Sequence, residues 1–178
     1  MKKIILGIVA VIVIAIGALF AINGKSNYDP TKYSLSITPA NKPFGVGSTI
    51  DFTLPDQFNK AHSLQSSHKK LVFVFTKDTG HILKNYMHNK DKKFVQDRGV
   101  VLVADVSAMP TVILNTFALP DFKKSNYPML LIYDKNMAKK LKEGQDTTKV
   151  VVLSLNNKKV SKIEYAQDEK ELDKLLNK

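Results

Sequence analysis

Cysteine is absent from all 178 residues of the chain. That excludes disulfide bonds, thiolate metal sites and thiol catalysis. Arginine is nearly absent too: lysine and arginine together number 27, and only Arg98 is arginine. Lysine is a mobile point charge, poorly suited to bidentate reading of phosphates or base edges, so no nucleic-acid partner is expected. No Gly-x-Gly-x-x-Gly opens a helix. Gly45-Val46-Gly47 precedes an expected strand instead, and the dinucleotide fingerprint is missing. Internal repeats and low-complexity tracts are likewise absent.

What is present suffices for one ordinary core: 44% of residues are hydrophobic, with nine Phe and six Tyr. The formal net charge of +11 describes a lysine-rich surface, with a weak attraction to anionic membranes or cell-wall polymers. Lys2-Lys3 precedes Ile4 to Ile22, an uninterrupted run of apolar and small residues. At about 1.5 Å per residue, such a run spans roughly a bilayer core. It is longer than a secretory h-region, and Leu19-Phe20-Ala21 is a poor cleavage site. Residues 1–22 are therefore expected to form an uncleaved, single-pass signal anchor in the cytoplasmic membrane. The two lysines hold the N-terminus inside, so the domain faces the periplasm or the cell exterior.

Residues 23–46 are polar, with several Pro and Gly, and read as a tether; Tyr33, Leu35 and Ile37 alternate as in a short edge strand. From residue 47 strands and helices alternate. Asp51 to Leu54 and His62 to Leu64 suggest a hairpin, and Leu71 to Phe75 a strand buried on both faces. Ile82, Leu83, Tyr86, Met87, Phe94 and Val95 share one helical face. Val100 to Val106 is a second buried strand, followed by a helix capped by Ser107 and ended by Pro120. Met129 to Tyr133 is a third strand, Met137 to Thr148 a basic loop with at most one helical turn. Lys149 to Leu155 and Val160 to Tyr165 form a hairpin around Asn156-Asn157. Asp168 with Glu171 marks the capping box of a final helix. The order is that of an α/β domain with a mixed sheet flanked by helices, over residues 47–178.

Three local marks give this order a resemblance. Gly47-Ser48-Thr49-Ile50-Asp51-Phe52-Thr53-Leu54-Pro55-Asp56-Gln57, continued by Lys60 and Ser63-Leu64, resembles the opening segment of the thioredoxin-like superfamily, above all its peroxiredoxin and TlpA-type branches. Asn59 stands where those relatives often have glycine. Lys69 to Phe75 leads directly into a helix, as their central strand does. Tyr127-Pro128 before Met129 resembles the loop in which thioredoxins hold a cis-proline opposite the catalytic cysteine. The chain also resembles short, membrane-anchored or secreted, cysteine-free bacterial proteins of this fold. Where relatives place the thiol, this chain reads Thr76-Lys77-Asp78-Thr79-Gly80-His81.

The resemblance implies a crevice at the carboxyl ends of the strands, lined by Thr76, Asp78, Thr79, His81, Asp105, Tyr127 and Pro128. An Asp–His pair within about 3 Å there would support general acid–base work. Asp78 or Thr79 equally suits a helix N-cap, and Asp105 the satisfaction of backbone donors. His81 and His88 lie roughly 10 Å apart along a helix, too far to share an ion. His62 and His68 have no paired spacing, so all four histidines read as solvated, and no metal or cofactor is expected. Phe117, Leu119, Phe122 and Tyr127 are either core or a partner-binding patch. Three roles stay open. The first is a redox-inactive domain binding an envelope protein or peptide. The second is a thiol-independent enzyme or small-ligand binder using Asp78, His81 and Asp105. The third is a structural envelope protein held by its lysines. No enzymatic activity is assigned.

Overall fold

The computed structural model describes residues 8, 13–15, 17, 18, 20–40 and 42–177. The predicted span from Ile4 to Ile22 lies largely outside the described residues. Its described part is helical at Val13 to Ala15 and from Phe20 to Asn23, with Val13, Ile14, Phe20 and Ile22 exposed. Among the described residues no helix is long and apolar enough to cross a membrane.

The strands are β1 (Ser34–Thr38), β2 (Thr49–Pro55), β3 (Ala61–Ser63), β4 (Lys70–Val74), β5 (Val100–Asp105), β6 (Met129–Ile132), β7 (Val150–Asn156) and β8 (Lys159–Ala166). They form one sheet in the order β1-β2-β8-β7-β4-β5-β6, with β3 paired to β2 off this path. β4, β5 and β6 are parallel, while β7 runs antiparallel to β4. The helices are α1 (Lys77–Met87), α2 (Lys92–Asp97), the composite α3 (Thr111–Ile113, Leu114–Ala118 and Leu119–Phe122), α4 (Lys135–Lys142) and α5 (Glu169–Leu176).

Both faces of the central strands are buried, which is why those strands read as continuous apolar runs. One face carries Val72, Val74, Leu102, Leu131 and Val152 against Leu83 of α1, Leu114 of α3 and Leu172 of α5. The other packs Leu71, Phe73, Val103, Val151 and Leu153 beneath Ile50, Phe52 and Leu54 of β2 and Leu141 of α4. β2 pairs with β8 at Thr49, crosses this face, and ends with Asp56 bridging Leu130 of β6.

Several local expectations meet a different answer. The helical face from Ile82 to Val95 belongs to two helices, because Asp91 restarts the second by accepting from the Phe94 amide at 3.1 Å. The stripe survives the break since both pack on the same side of the sheet. Ser107 does not cap α3, whose first turn follows Pro110 without a side-chain cap. Nor does Pro120 end it. Leu114–Ala118 is a π-helical turn, and such widening relieves the clash between a proline ring and the carbonyl four residues back. The basic segment after Asp134 is α4, a two-turn helix whose Ala138 and Leu141 are buried.

The expected tether is not a free linker. Tyr28 stacks between Tyr33 and Tyr133, with ring centroids 5.4 and 4.7 Å away. The Asn115 side-chain amide donates to the carbonyls of Asn23 and Lys25 at 2.8 and 2.9 Å. The alternation of Tyr33, Leu35 and Ile37 does yield an edge strand, β1.

Candidate functional site

The seven predicted site residues divide between opposite ends of the sheet. Thr76 follows β4, and Asp105 closes the parallel strand beside it, so both lie at carboxyl ends. Pro128 precedes β6, whose first residue Met129 pairs with Leu102. Tyr127 and Pro128 therefore sit at the amino ends, about 13 Å away for four residues of strand. The strand that begins beside Thr76 is β7, since it is antiparallel to β4, with Phe73 opposite Val151. It is reached through Asp146 to Lys149, where Asp146 accepts from the Thr148 amide at 3.2 Å and no proline occurs. Among the described residues the cis peptide bond is Thr38-Pro39, so Tyr127-Pro128 is trans. Pro128 is not the proline that faces the thiol position.

At the carboxyl end the predicted groups are held in structural bonds. Thr76 caps α1, accepting from the Thr79 amide at 3.2 Å, while its own amide donates to Thr79 Oγ1 at 3.1 Å. This reciprocal box fills the place of the missing thiol and leaves Thr79 fully buried. Asp105, its side chain 2% exposed, pairs with Lys142 of α4 and accepts from the Ser107 amide at 2.9 Å. Lys142 also lies 5.6 Å from the Phe75 ring centroid. Asp78 and His81 are exposed on the first turns of α1, and neither is joined to Asp105 or to the other. The arrangement brings no acid–base pair together here.

A groove of about 970 Å³ opens at the other end, between the β2–β3 hairpin and α2, with Tyr127 and Pro128 among its lining. Gln57, which sequence reasoning passed over, holds that part of the lining. Its amide nitrogen donates to the Tyr127 carbonyl and its Oε1 accepts from the Met129 amide, both at 2.9 Å. One buried side chain thus serves the backbone on both sides of Pro128, which has no N–H to contribute. Tyr127 is buried, so the patch expected around Phe117, Phe122 and Tyr127 is not continuous, whereas Phe117 is 62% exposed rather than core.

The groove also corrects two histidines. His62 Nε2 lies 2.9 Å from Asp56 Oδ2, while Asp56 Oδ1 accepts from the amides of Phe58 and Lys60 at 2.8 and 2.9 Å. His68 accepts from the Gln65 amide at 2.9 Å through Nδ1, and burial, with nearby Lys158, holds its pKa below the ordinary value. Neither is the solvated histidine expected: His62 is held by Asp56, and His68 is half-buried in the turn before β4. Asn59 takes φ of 63°, the left-handed turn in which relatives use glycine. His81 and His88 are exposed, as read. Among the described residues no three His, Asp or Glu side chains converge to hold a metal ion.

Lys60, Lys69 and Lys92 stand exposed around the groove, and Phe58, 60% exposed, projects beside them. β3 pairs with β2 along one edge only, and its Ala61, His62 and Ser63 line the groove.

No protein-family model matches the chain, and no curated protein matches it by sequence. Solved structures do. A putative protein disulfide isomerase from Bacteroides thetaiotaomicron superposes with a TM-score of 0.51 at 17% identity, covering 81% of this chain and 90% of that one. The fold is thioredoxin-like. Peroxidoxin BcpB from Mycobacterium tuberculosis matches at 19% identity with a TM-score of 0.49, over 74% of this chain and 94% of its own. StoA from Bacillus subtilis matches at 16% and 0.46, over 72% and 96%. Unlike a thiol–disulfide oxidoreductase, this thioredoxin-like chain has no cysteine.

Proposed function

We propose that this chain is a redox-inactive, thioredoxin-like binding domain, anchored in the cytoplasmic membrane by residues 4–22 and facing the periplasm or cell exterior. It engages an extended, acidic segment of an envelope protein in the groove at the amino ends of β4, β5 and β6. The observation that carries this reading is the second edge of β3. An open strand edge offers main-chain donors and acceptors to an added strand. Here that edge borders a groove rimmed by Lys60, Lys69 and Lys92, which select negative charge, and by Phe58, an aromatic anchor. The thiol position, by contrast, is closed by the Thr76–Thr79 box. The apolar run and the exposure of its described residues support the anchor.

The test is site-specific photocrosslinking from Phe58 of the full chain in native membranes, with the adduct mapped by mass spectrometry. The expected result is one adduct on an acidic, extended segment, lost when Lys60, Lys69 and Lys92 are changed together to glutamate. An adduct indifferent to charge reversal, or none at Phe58, overturns the assignment. Thiol–disulfide or peroxide turnover by the purified chain would overturn the redox-inactive reading.

A further inference from the structure

We infer that the outer side of α3, carrying Ile113 and Phe117, rests in the headgroup layer of the bilayer that holds the N-terminal segment. This inference builds on the anchor proposed above and concerns a surface distant from the groove. Ile113 and Phe117 are 43% and 62% exposed, although their neighbours Val112 and Leu114 are buried, so the helix turns two large apolar side chains away from the core.

The occupant follows from where the apolar run meets the domain. The run ends at Ile22, and Asn115 holds the very next carbonyl, that of Asn23, together with that of Lys25. The last helical turn before this point closes through the Gly24 amide and the Phe20 carbonyl at 2.8 Å. Tyr28, clamped between Tyr33 and Tyr133, prevents the following residues from acting as a long spacer. A helix is about 10 Å across, so the outer side of α3 lies within roughly that distance of the residue where the run ends. Asn115 lies across the helix from Ile113 and Phe117, so a bilayer entered at Ile22 and reaching that side spans about one helix width.

Charge agrees with this placement. Lys25, Lys123 and Lys124 are exposed around the same helix, and its acidic residue, Asp121, is paired with Lys84 at 2.7 Å and more loosely with Lys124 at 3.7 Å. Apolar side chains flanked by lysines are the composition of an interfacial helix, with the stems along the apolar layer and the ammonium groups among anionic headgroups. A free polypeptide partner would not need α3 tied to the end of the apolar run.

The chain has no tryptophan, so Phe117→Trp and Phe58→Trp each create a single fluorophore at a comparably exposed phenylalanine. The full chain is reconstituted into phosphatidylethanolamine vesicles, with and without phosphatidylglycerol, containing lipids brominated near the headgroup. Several-fold stronger quenching at position 117 than at 58, strengthened by phosphatidylglycerol and reduced by Lys123→Glu with Lys124→Glu, is the expected result. Equal, weak quenching at both positions in a chain that floats with the vesicles overturns the inference and leaves the anchor intact. A blue-shifted but unquenched Trp at 117 means a protein covers α3, which also overturns it. A chain that does not float with the vesicles overturns the anchor and this inference together.

Discussion

Replacing Gln57 by methionine removes two buried hydrogen bonds while nearly conserving side-chain volume. The Tyr127 carbonyl and the Met129 amide, each 2.9 Å from the Gln57 amide group, would lose their partner inside a packed floor. Leaving a buried donor or acceptor unsatisfied costs about 1–3 kcal/mol. Two such groups give about 2–5 kcal/mol, discounted at the upper end because the groove admits some water. For a chain of this size, each kcal/mol shifts the melting temperature by roughly 2–4 °C, so a fall on the order of 10 °C is expected. Gln57→Glu separates the two bonds, since a carboxylate still accepts from Met129 but cannot donate to Tyr127. It should lie below wild type as well, because it also buries a charge. Urea titration and thermal melting of the full chain in mild detergent, followed by far-ultraviolet circular dichroism, measure both variants. A Gln57→Met variant within about 0.5 kcal/mol of wild type would refute the claim that this side chain holds the loop around Pro128.

The buried pair at the other end of the sheet should respond asymmetrically. Lys142→Met strands the buried Asp105 carboxylate and is expected to cost about 3 kcal/mol. Asp105→Asn keeps the acceptor for Ser107 and lets the partly exposed Lys142 turn to solvent, at roughly 1 kcal/mol. Equal losses on urea titration would contradict this account. For pH, His68 binds a proton less readily folded than unfolded, because burial and then Lys158 disfavour its charged form. Its contribution is present above the unfolded value of 6.5 and is lost as the pH falls through the lower folded value. His68→Gln should therefore flatten the stability profile just below pH 6.5, a window separate from the acid range of Asp121, whose pKa Lys84 lowers from 3.8. An unchanged slope in denaturation midpoints across that window would contradict it.

Most of what proved readable from sequence was local. The N-cap of the last helix is the residue expected, Asp168 accepting from the Glu171 amide at 2.7 Å, although Glu171 reaches back to the Gln167 amide at 2.8 Å and not to that of Asp168, so the box does not close as expected. The apolar runs became strands buried on both faces, and the hairpin expected around Asn156-Asn157 forms with its turn one residue later, at Asn157 and Lys158, both with positive φ, while Asn156 ends β7. The candidate site was legible only in pieces. Tyr127 and Pro128 do line a groove, but Thr76 and Asp105 are not part of it and lie at the opposite end of the sheet. A run such as Met129 to Ile132 reads the same whether its strand lies beside β4 or β5, or is entered from either end of the sheet.

The sequence alone determined the chemistry that is excluded, most of the alternation of strands and helices, and those caps whose partners lie within a few residues. No thiol can act where none is encoded, and caps form between neighbours in the chain. Tertiary structure decided which end of the sheet each loop occupies. It also placed Gln57 under Pro128, drew His62 onto Asp56, and folded the expected tether against Tyr133 and Asn115. Those contacts join residues far apart in the chain, from Tyr28 to Tyr133 and from Asn23 to Asn115. They depend on strand direction and on which face of the sheet an element covers, and hydrophobic periodicity constrains neither.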